Sequence, residues 1–361
     1  MATEGPIRVV VVDDSPYLRF ALRRGLERQR DIQVVGLARD GLEAIGVVAE
    51  TDPDVVTLDV EMPRLDGLAT IERLMQETPR PIVMVSSLTV EGAETTIKAL
   101  ELGAVDFVPK PSRETGLDQL IEALVPKIRA ASAARVRWQP RRKAAAPRQR
   151  AAYPPRSHPL PLDHFASLVV IGCSTGGPGA LVEVLPKLDP ALPAAYVVVQ
   201  HMPPGFTRSL AQRLDQLTGL RVREAEREDQ LHCGEALVAA GDWHLLVGPG
   251  GRVALSRGPR LHGVRPAVDV TLQAAAATYR DRTIAVILTG MGTDGADGCA
   301  AVKAAGGTVI AEDAATCVVD GMPRAVRERG LADTVVPLHE VAQAVSTCIR
   351  QREAQRTSRS G

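Results

Sequence analysis

The sequence is poor in aromatic residues and carries no net charge. Phe, Trp and Tyr make up 3% of the 361 residues, so Val, Leu, Ile and Ala must fill the interior. A protein that binds nucleic acid through stacked aromatic side chains is therefore disfavoured. Lys and Arg number 43, as do Asp and Glu, so no overall field attracts nucleic acid or an anionic membrane.

Cysteine pairs and long apolar runs are also missing. The five cysteines include no C-x-x-C pair and no histidine at zinc-ligand spacing, so we interpret them as reduced thiols. No apolar stretch approaches the roughly 18 residues of a membrane span, and the N-terminal MATEGPIR lacks an export signal. We therefore expect a cytoplasmic protein with no membrane insertion.

Short apolar runs alternate with segments of helical period along most of the chain. Runs that are apolar at nearly every position are typical of strands buried on both faces of a parallel sheet. Five such strands, each followed by a helix, occupy residues 1–134, and a second series occupies residues 166–355. Gly-bounded short pieces in the second series suit hairpin or edge strands. The pattern predicts two doubly wound α/β domains, the second with a small antiparallel element.

Residues 135–165 separate the two predicted domains. Between Arg135 and Arg156 there are eight Lys or Arg and no acidic residue, together with several prolines. Proline and like-charge repulsion favour an extended linker. Binding of nucleic acid or a membrane surface is the alternative, but the segment has no amphipathic helical pattern. Residues 356–361 are predicted to be a polar tail.

Polar residues follow the predicted strands of the first domain. Asp13 and Asp14 follow the first strand, Asp59 ends the third, Ser86 ends the fourth, and Lys110 follows the fifth. Carboxyl ends of parallel strands meet at one edge, so these groups should converge. Any one aspartate could instead cap a helix or turn. The set predicts a Mg²⁺ site at which a carboxylate is phosphorylated.

Ser174 lies where the apolar run LVVIG meets a glycine-rich turn and a helical segment. Such a turn exposes a serine, and the helix N-terminus favours a developing oxyanion. The turn by itself could equally cradle a nucleotide phosphate.

Two further strand ends supply partners for that serine. His201 follows AYVVVQ, and Asp294 follows TIAVILTG and a short loop, which gives a base and the carboxylate that orients it. The other histidines, unlike His201, fall mostly in loops, linker or polar segments. The chain order Ser, His, Asp differs from the order Ser, Asp/Glu, His of α/β-hydrolases, so a different hydrolase lineage is indicated.

The first domain resembles the receiver domains of two-component response regulators, through VVDDSPYLR, TLDVEMPRLDGL and FVPKP. The resemblance implies a flavodoxin-like fold and a phosphoryl group accepted by Asp59 from a histidine kinase. It also implies Mg²⁺ bound by Asp14, Asp59 and the backbone carbonyl of Glu61, with Asp13 supporting the metal. Three further residues match the receiver switch positions: Ser86, Phe107 and Lys110.

The second domain resembles the catalytic domain of chemotaxis-type protein-glutamate methylesterases, which implies a Rossmann-like fold. The resemblance is carried by GCSTGGP, QHMPPGFTRSLAQRL, RPAVDVTLQAA, ILTGMGTDGADG and DGMPRA. It implies Ser174 as nucleophile, His201 as base, Asp294 as its partner and the backbone amide of Met291 as oxyanion donor, without a cofactor. The implied substrates are glutamyl methyl esters, and specific glutamines, of methyl-accepting chemotaxis receptors.

A switch domain ahead of a hydrolase suggests control by phosphorylation. We expect the unphosphorylated receiver to cover the Ser174 rim and phosphorylation of Asp59 to expose it. Two other hypotheses are a non-enzymatic regulator, which is disfavoured because no basic helix-turn-helix follows residue 165, and a nucleotide-binding protein that uses the glycine-rich loops.

Overall fold

Runs of Val, Ile and Leu form the central strands of two parallel sheets, one in each of two units, Met1–Pro140 and Arg141–Gly361. The structure is a computed structural model that describes residues 5–87, 89–110, 116–134 and 167–360, with side chains as far as residue 355. The predicted linker 135–165 lies outside the described residues. Two α/β units with parallel sheets confirm the predicted fold class.

The first unit alternates five strands with five helices. They are β1 (Ile7–Val12), α1 (Pro16–Leu26), β2 (Ile32–Ala38), α2 (Gly41–Thr51), β3 (Val55–Asp59), α3 (Gly67–Glu77), β4 (Ile82–Ser86), α4 (Val90–Glu101), β5 (Asp106–Pro109) and α5 (Leu117–Ser132). The strand order is β2-β1-β3-β4-β5, and every pairing is parallel. The order reverses between β1 and β3, the position at which doubly wound sheets open a crevice for ligands.

The second unit is built on a larger parallel sheet. Its elements are β6 (Ser167–Cys173), α6 (Gly177–Val184), β7 (Ala194–Gln200), α7 (Phe206–Leu217), β8 (Arg221–Glu224), β9 (Glu235–Val238), β10 (His244–Val247), β11 (Val253–Ser256), α8 (Val268–Tyr279), β12 (Thr283–Ile287), α9 (Ala296–Ala304), β13 (Thr308–Glu312), α10 (Met322–Glu328), β14 (Thr334–Val336) and α11 (Val341–Ser360).

Seven of these strands form one sheet in the order β14-β13-β12-β6-β7-β9-β8. The chain leaves β6 toward β7 and later returns to β12 on the other side of β6, so the switch point lies at β6. β10 and β11 pair antiparallel in a separate hairpin, which is the predicted antiparallel element. Because all residues of β6, β7 and β12 are buried, these strands fix the rim of the sheet rigidly.

Some elements differ from the prediction. The sequence pattern predicts one helix through residues 181–188, but α6 ends at Val184. The chain continues as a 3-10 turn that contains Pro186, whose ring is incompatible with a continuing α-helix. The short helix α10 and the edge strand β14 were not predicted. α11 extends to Ser360 and so includes most of the predicted polar tail. Among the described helices, none is both long and apolar enough to cross a membrane.

Candidate active site and phosphorylation site

The predicted acidic cluster forms at the rim of the first sheet. One carboxylate oxygen from each of Asp13, Asp14 and Asp59 lies within 4.8 Å of the other two. Asp13 and Asp59 are almost fully buried, whereas Asp14 is exposed. Lys110 Nζ lies 2.6 Å from Asp59 Oδ2 and 3.2 Å from Asp13 Oδ2. Two of the three clustered carboxylates, those of Asp13 and Asp59, thus share one ammonium group.

The charges in this cluster are incompletely balanced. Burial raises the pKa of the Asp59 carboxyl to about 6, and the Asp13 charge adds to this, while Lys110 opposes it. Asp13 Oδ2 is buried without a well-aligned hydrogen bond despite the nearby Lys110. A hard divalent cation would satisfy that oxygen and reduce the repulsion, so the donor set fits Mg²⁺.

The remaining predicted receiver residues lie around this cluster. Ser86 is buried, and its hydroxyl accepts a hydrogen bond from Thr96 Oγ1 at 2.7 Å, so it bonds to α4. Phe107 is buried on β5. Glu61 donates its backbone N–H to Asp59 Oδ1 at 3.3 Å, which places the peptide of Glu61 beside the cluster. The structure therefore brings Asp13, Asp14, Asp59 and Lys110 together and leaves Ser86 and Phe107 in packed positions.

Ser174 follows β6 directly, at the switch point of the second sheet. Its backbone N–H donates to the carbonyl of Thr289 at 3.0 Å, and its carbonyl accepts the side-chain amide of Gln200 at 2.9 Å. Gly176 has a φ of +80° and starts α6, a conformation that glycine adopts without strain. The half-buried serine is therefore held from both sides while its side chain stays accessible.

His201 and Asp294 form a close pair. His201 Nε2 lies 2.7 Å from Asp294 Oδ2. The same carboxylate accepts the backbone N–H of Val268 at 2.7 Å and of Asp269 at 2.9 Å. Burial alone would raise the pKa of Asp294, but these hydrogen bonds and the His201 interaction lower it below its ordinary value. Asp294 is thus a stable anion that accepts three hydrogen bonds.

The orientation of His201 decides which of its ring nitrogens is left free of Asp294. Because Nε2 bonds Asp294, Nδ1 is the nitrogen that remains to take a proton. Among the described residues, no hydrogen bond joins Ser174 Oγ to His201. Such bonds are often long before a substrate binds. The backbone N–H of His201 donates to Cys173 O at 3.1 Å, so His201 and Ser174 follow adjacent strand ends.

Met291 lies in the loop between β12 and Asp294. The loop passes close to the nucleophile, since a Cβ built on Gly290 would meet Ser174 Cβ at 2.9 Å. Gly290 donates its N–H to Val319 and accepts from Gly321 and Met322. The N–H of Met291 has no acceptor within the described part of the chain, so it is available as a donor at the place predicted for the oxyanion.

Three supporting interactions have no signal in the sequence. Gln200, which is 2% exposed, donates to the carbonyls of both Ser174 and His201 and so ties the two together. Its Oε1 accepts the thiol of Cys173 at 3.1 Å. Burial raises the pKa of that thiol, which keeps it protonated. Cys173 is therefore a packed residue beside the nucleophile.

Glu312 is the second missed residue. It is fully buried at the end of β13, and its Oε2 accepts the N–H of Thr289 at 2.8 Å. Thr289 in turn receives the N–H of Ser174. Burial raises the pKa of Glu312 to about 7, although the hydrogen bonds from Thr289 and Thr316 act to lower it. The carboxyl of Glu312 is thus linked to the backbone of Ser174 through one intervening residue, Thr289.

The third is a second histidine–carboxylate pair. His262 Nε2 lies 2.8 Å from Asp269 Oδ2 and 4.0 Å from Asp294 Oδ1. Asp269 is fully buried, and its Oδ1 accepts the N–H groups of Gly295 and Gly298 at the start of α9. Asp269 therefore braces the loop that carries Asp294, and His262 places a second imidazole next to the first pair.

Fold and site together define the class: a response regulator whose receiver unit precedes an enzyme unit. Family models match the response regulator receiver domain over residues 9–122 and the CheB methylesterase over residues 169–345. The chain belongs to the CheB methylesterase family, in agreement with the predicted resemblance.

Known proteins similar to this chain span nearly its whole length. A "protein-glutamate methylesterase/protein-glutamine glutaminase" of Symbiobacterium thermophilum is 52% identical over 359 residues, which cover 95% of this chain and 97% of that protein. A protein of the same description from Thermotoga maritima is 46% identical, covering 94% and 98%. A solved structure, the Thermotoga maritima CheB methylesterase catalytic domain, is 50% identical over 52% of this chain and 98% of its own, with a TM-score of 0.49.

Proposed function

We propose that the second unit hydrolyses glutamyl methyl esters of methyl-accepting chemotaxis receptors. The observation that carries the proposal is the placement of Ser174 and the His201–Asp294 pair on adjacent strand ends at the sheet's switch point. The relatives are described as protein-glutamate methylesterases and protein-glutamine glutaminases, which supplies the substrate class. No cofactor is needed, since the three side chains provide nucleophile, base and orienting carboxylate.

The first half of the reaction forms an acyl-enzyme. Ser174 Oγ attacks the ester carbonyl while His201 Nδ1 takes its proton, and Asp294 stabilises the resulting imidazolium. The negative charge on the carbonyl oxygen is stabilised by the N–H of Met291. When the tetrahedral intermediate collapses, the C–O bond to the methoxy group breaks, His201 returns the proton, and methanol leaves.

Water completes the reaction by the same route in reverse. His201 removes a proton from water, the hydroxide adds to the acyl carbon, and Ser174 leaves with the proton. The product is a free glutamate. A glutamine side chain would react in the same way with ammonia as the leaving group, and we include deamidation in the proposed function because the relatives' description names both activities.

We further propose that phosphorylation of Asp59 by a histidine kinase activates the esterase. Asp13, Asp14, Asp59 and the carbonyl of Glu61 would hold Mg²⁺, which when bound offsets the charge of the phosphoryl oxygens. Lys110 Nζ, already 2.6 Å from Asp59, would bond a phosphoryl oxygen. Movement of Ser86 toward the phosphoryl group and repacking of Phe107 would form the switch.

The proposal assigns the domain roles with the predicted boundaries. Residues 1–134 form the receiver, 135–165 the linker, 166–355 the esterase and 356–361 the tail. The partners are the receptors and the kinase, with no nucleic acid and no membrane insertion, and the proposed location is the cytoplasm.

Labelling with a fluorophosphonate tests the catalytic assignment. We expect one adduct on Ser174, found by mass spectrometry, and at least a hundredfold slower labelling in His201→Ala. His232→Ala is the matched control, because His232 also pairs with a carboxylate, Glu235, at 3.2 Å and should label normally. Labelling of another serine, or undiminished labelling of His201→Ala, would contradict the assignment.

A further inference from the structure

A loop between β11 and α8 reaches the carboxylate of Asp294 through His262. Residues 257–264 are anchored at their start by Arg265, whose Nη1 donates to the carbonyls of Arg257 and Gly258 at 3.1 and 2.8 Å. Near its tip, His262 lies 2.8 Å from Asp269 and 4.0 Å from Asp294 Oδ1. The loop therefore places the exposed residue His262 beside the carboxylate of Asp294.

The loop carries an excess of positive charge. Arg260 and Arg265 both bind the carboxylate of Asp242, at 2.9 and 2.7 Å. The hydrogen bond from Arg265 lowers the pKa of Asp242, and the nearby charges of Arg260 and Arg257 lower it further. Arg257 itself stacks over the ring of Trp243 at 4.3 Å and has no carboxylate partner among the described residues. Three guanidinium groups thus lie near one carboxylate, which only Arg260 and Arg265 bind directly.

Exposed apolar side chains flank the same region. Among the described residues of the second unit, three large hydrophobic side chains are exposed: Leu261 (37%), Met291 (45%) and Val335 (42%). Leu261 adjoins His262, and Met291 is the proposed oxyanion donor. Leu261 therefore lies on the loop that reaches Asp294, and Met291 lies on the loop that passes Ser174. Exposed apolar side chains beside arginines are the pattern of a protein-binding surface with an apolar centre and a charged rim.

We propose that loop 257–264, with Arg257, Arg260 and Leu261 exposed, docks the acidic ester-bearing segment of the protein substrate. The inference rests on the proposed esterase function. Each turnover converts a neutral glutamyl ester into a carboxylate, so a segment with several such sites grows more acidic as the reaction proceeds. Charge complementarity with the arginines then speeds association and orients the segment, while Leu261 and Met291 contact its apolar side chains.

Charge variants of Arg257 test this surface in the full-length protein. We compare methanol release from methylated receptor membranes with hydrolysis of p-nitrophenyl acetate, a small neutral ester that needs only the catalytic groups. Arg257→Glu should raise the KM for receptor about tenfold at low salt and Arg257→Gln about threefold, and both effects should shrink at high ionic strength. Hydrolysis of the small ester should stay within twofold of wild type and shows that the variants fold.

Arg227→Gln is the matched control. Arg227 also lies over the Trp243 ring, at 4.9 Å, but sits between Glu226 and Glu228 on another turn. We expect its KM for receptor to change less than twofold. An equal effect of Arg227→Gln, an unchanged KM in Arg257→Glu, or a parallel loss toward the small ester would overturn the docking role. A wild-type protein that releases no methanol from receptors would instead overturn the esterase function beneath it.

Discussion

Each unit places its functional groups where the strands of a parallel sheet end. The two units differ in how completely the charges of those groups are balanced and hydrogen-bonded. In the first unit, Asp13 and Asp59 share a single Lys110 beside a third carboxylate, Asp14, and Asp13 Oδ2 lacks a well-aligned hydrogen bond. In the second, Asp294 receives three hydrogen bonds and is a stable anion. The incompletely balanced carboxylates of the first site can respond to a bound cation or phosphoryl group. In the second site, the hydrogen bonds of Asp294 are already formed before a substrate binds.

Removing the nucleophile tests the second unit most severely. Ser174→Ala should reduce methanol release by at least about 10³-fold, because no other group can form the acyl-enzyme. Ser167→Ala, at the opposite end of β6, removes the same hydroxyl from the same strand and should keep nearly full activity. If Ser174→Ala retained more than a tenth of the wild-type rate, the mechanism would be wrong.

Glu312 gives the second unit a pH-dependent stability. Its pKa is about 7 in the folded state and 4.5 ordinarily, so below pH 4.5 it is protonated in both states. Between about pH 4.5 and 7 the unfolded chain loses this proton and the folded one keeps it, so the free energy of unfolding falls as pH rises, by at most about 3 kcal/mol. Denaturant unfolding of Glu312→Gln should lack this fall.

Exposed Glu340 provides the comparison for that variant. Glu340→Gln should show the same pH dependence as wild type. A Glu312→Gln protein whose unfolding free energy follows the wild-type curve from pH 4.5 to 7 would show that the buried carboxyl is ionised in the folded protein.

Gln200 tests how far the second site depends on preorganisation. Gln200→Ala frees the carbonyls of Ser174 and His201, and we expect kcat to fall about thirtyfold with little change in KM, since positioning rather than binding is lost. Gln230→Ala removes an amide that also donates to a backbone carbonyl, that of Gly250, and should change kcat less than twofold. If the two variants changed kcat equally, Gln200 would have no particular role in positioning Ser174 and His201.

The smallest effect should come from the metal at the first site. Mg²⁺ at ten times its Kd should stabilise the receiver by about 1.4 kcal/mol, seen as a shift in its thermal unfolding. Asp14→Asn should lose most of that shift, whereas Glu77→Gln, on the surface of α3, should keep it. A shift of equal size in Asp14→Asn would place the ion elsewhere.

Much of the fold and the main site residues were visible in the sequence, because strands buried on both faces are apolar throughout and their polar ends stand out. The strand-end positions of Asp59, Ser174 and His201 could be read in this way, whereas their roles were implied by the family resemblance. Short elements such as α10 and β14 carry too few residues to show a period. Their structure depends on neighbours that are distant in the chain.

The supporting residues could not be predicted for the same reason. Gln200 and Glu312 are polar residues at strand ends, like many that only cap or turn, and their role appears only when they meet Ser174 and Thr289 across the sheet. The His262–Asp269 pair is formed by a loop whose path no periodicity describes. Local patterns locate the reacting groups, and the contacts that hold them are set by tertiary structure.

The most direct test of a regulated serine esterase measures methanol release from methylated receptors with and without a small phosphodonor such as acetyl phosphate. We predict that the phosphodonor and Mg²⁺ raise the rate of the wild-type protein several-fold and leave Asp59→Asn at its basal rate. Equal rates of the phosphorylated wild type and Asp59→Asn would contradict control of Ser174 by the receiver.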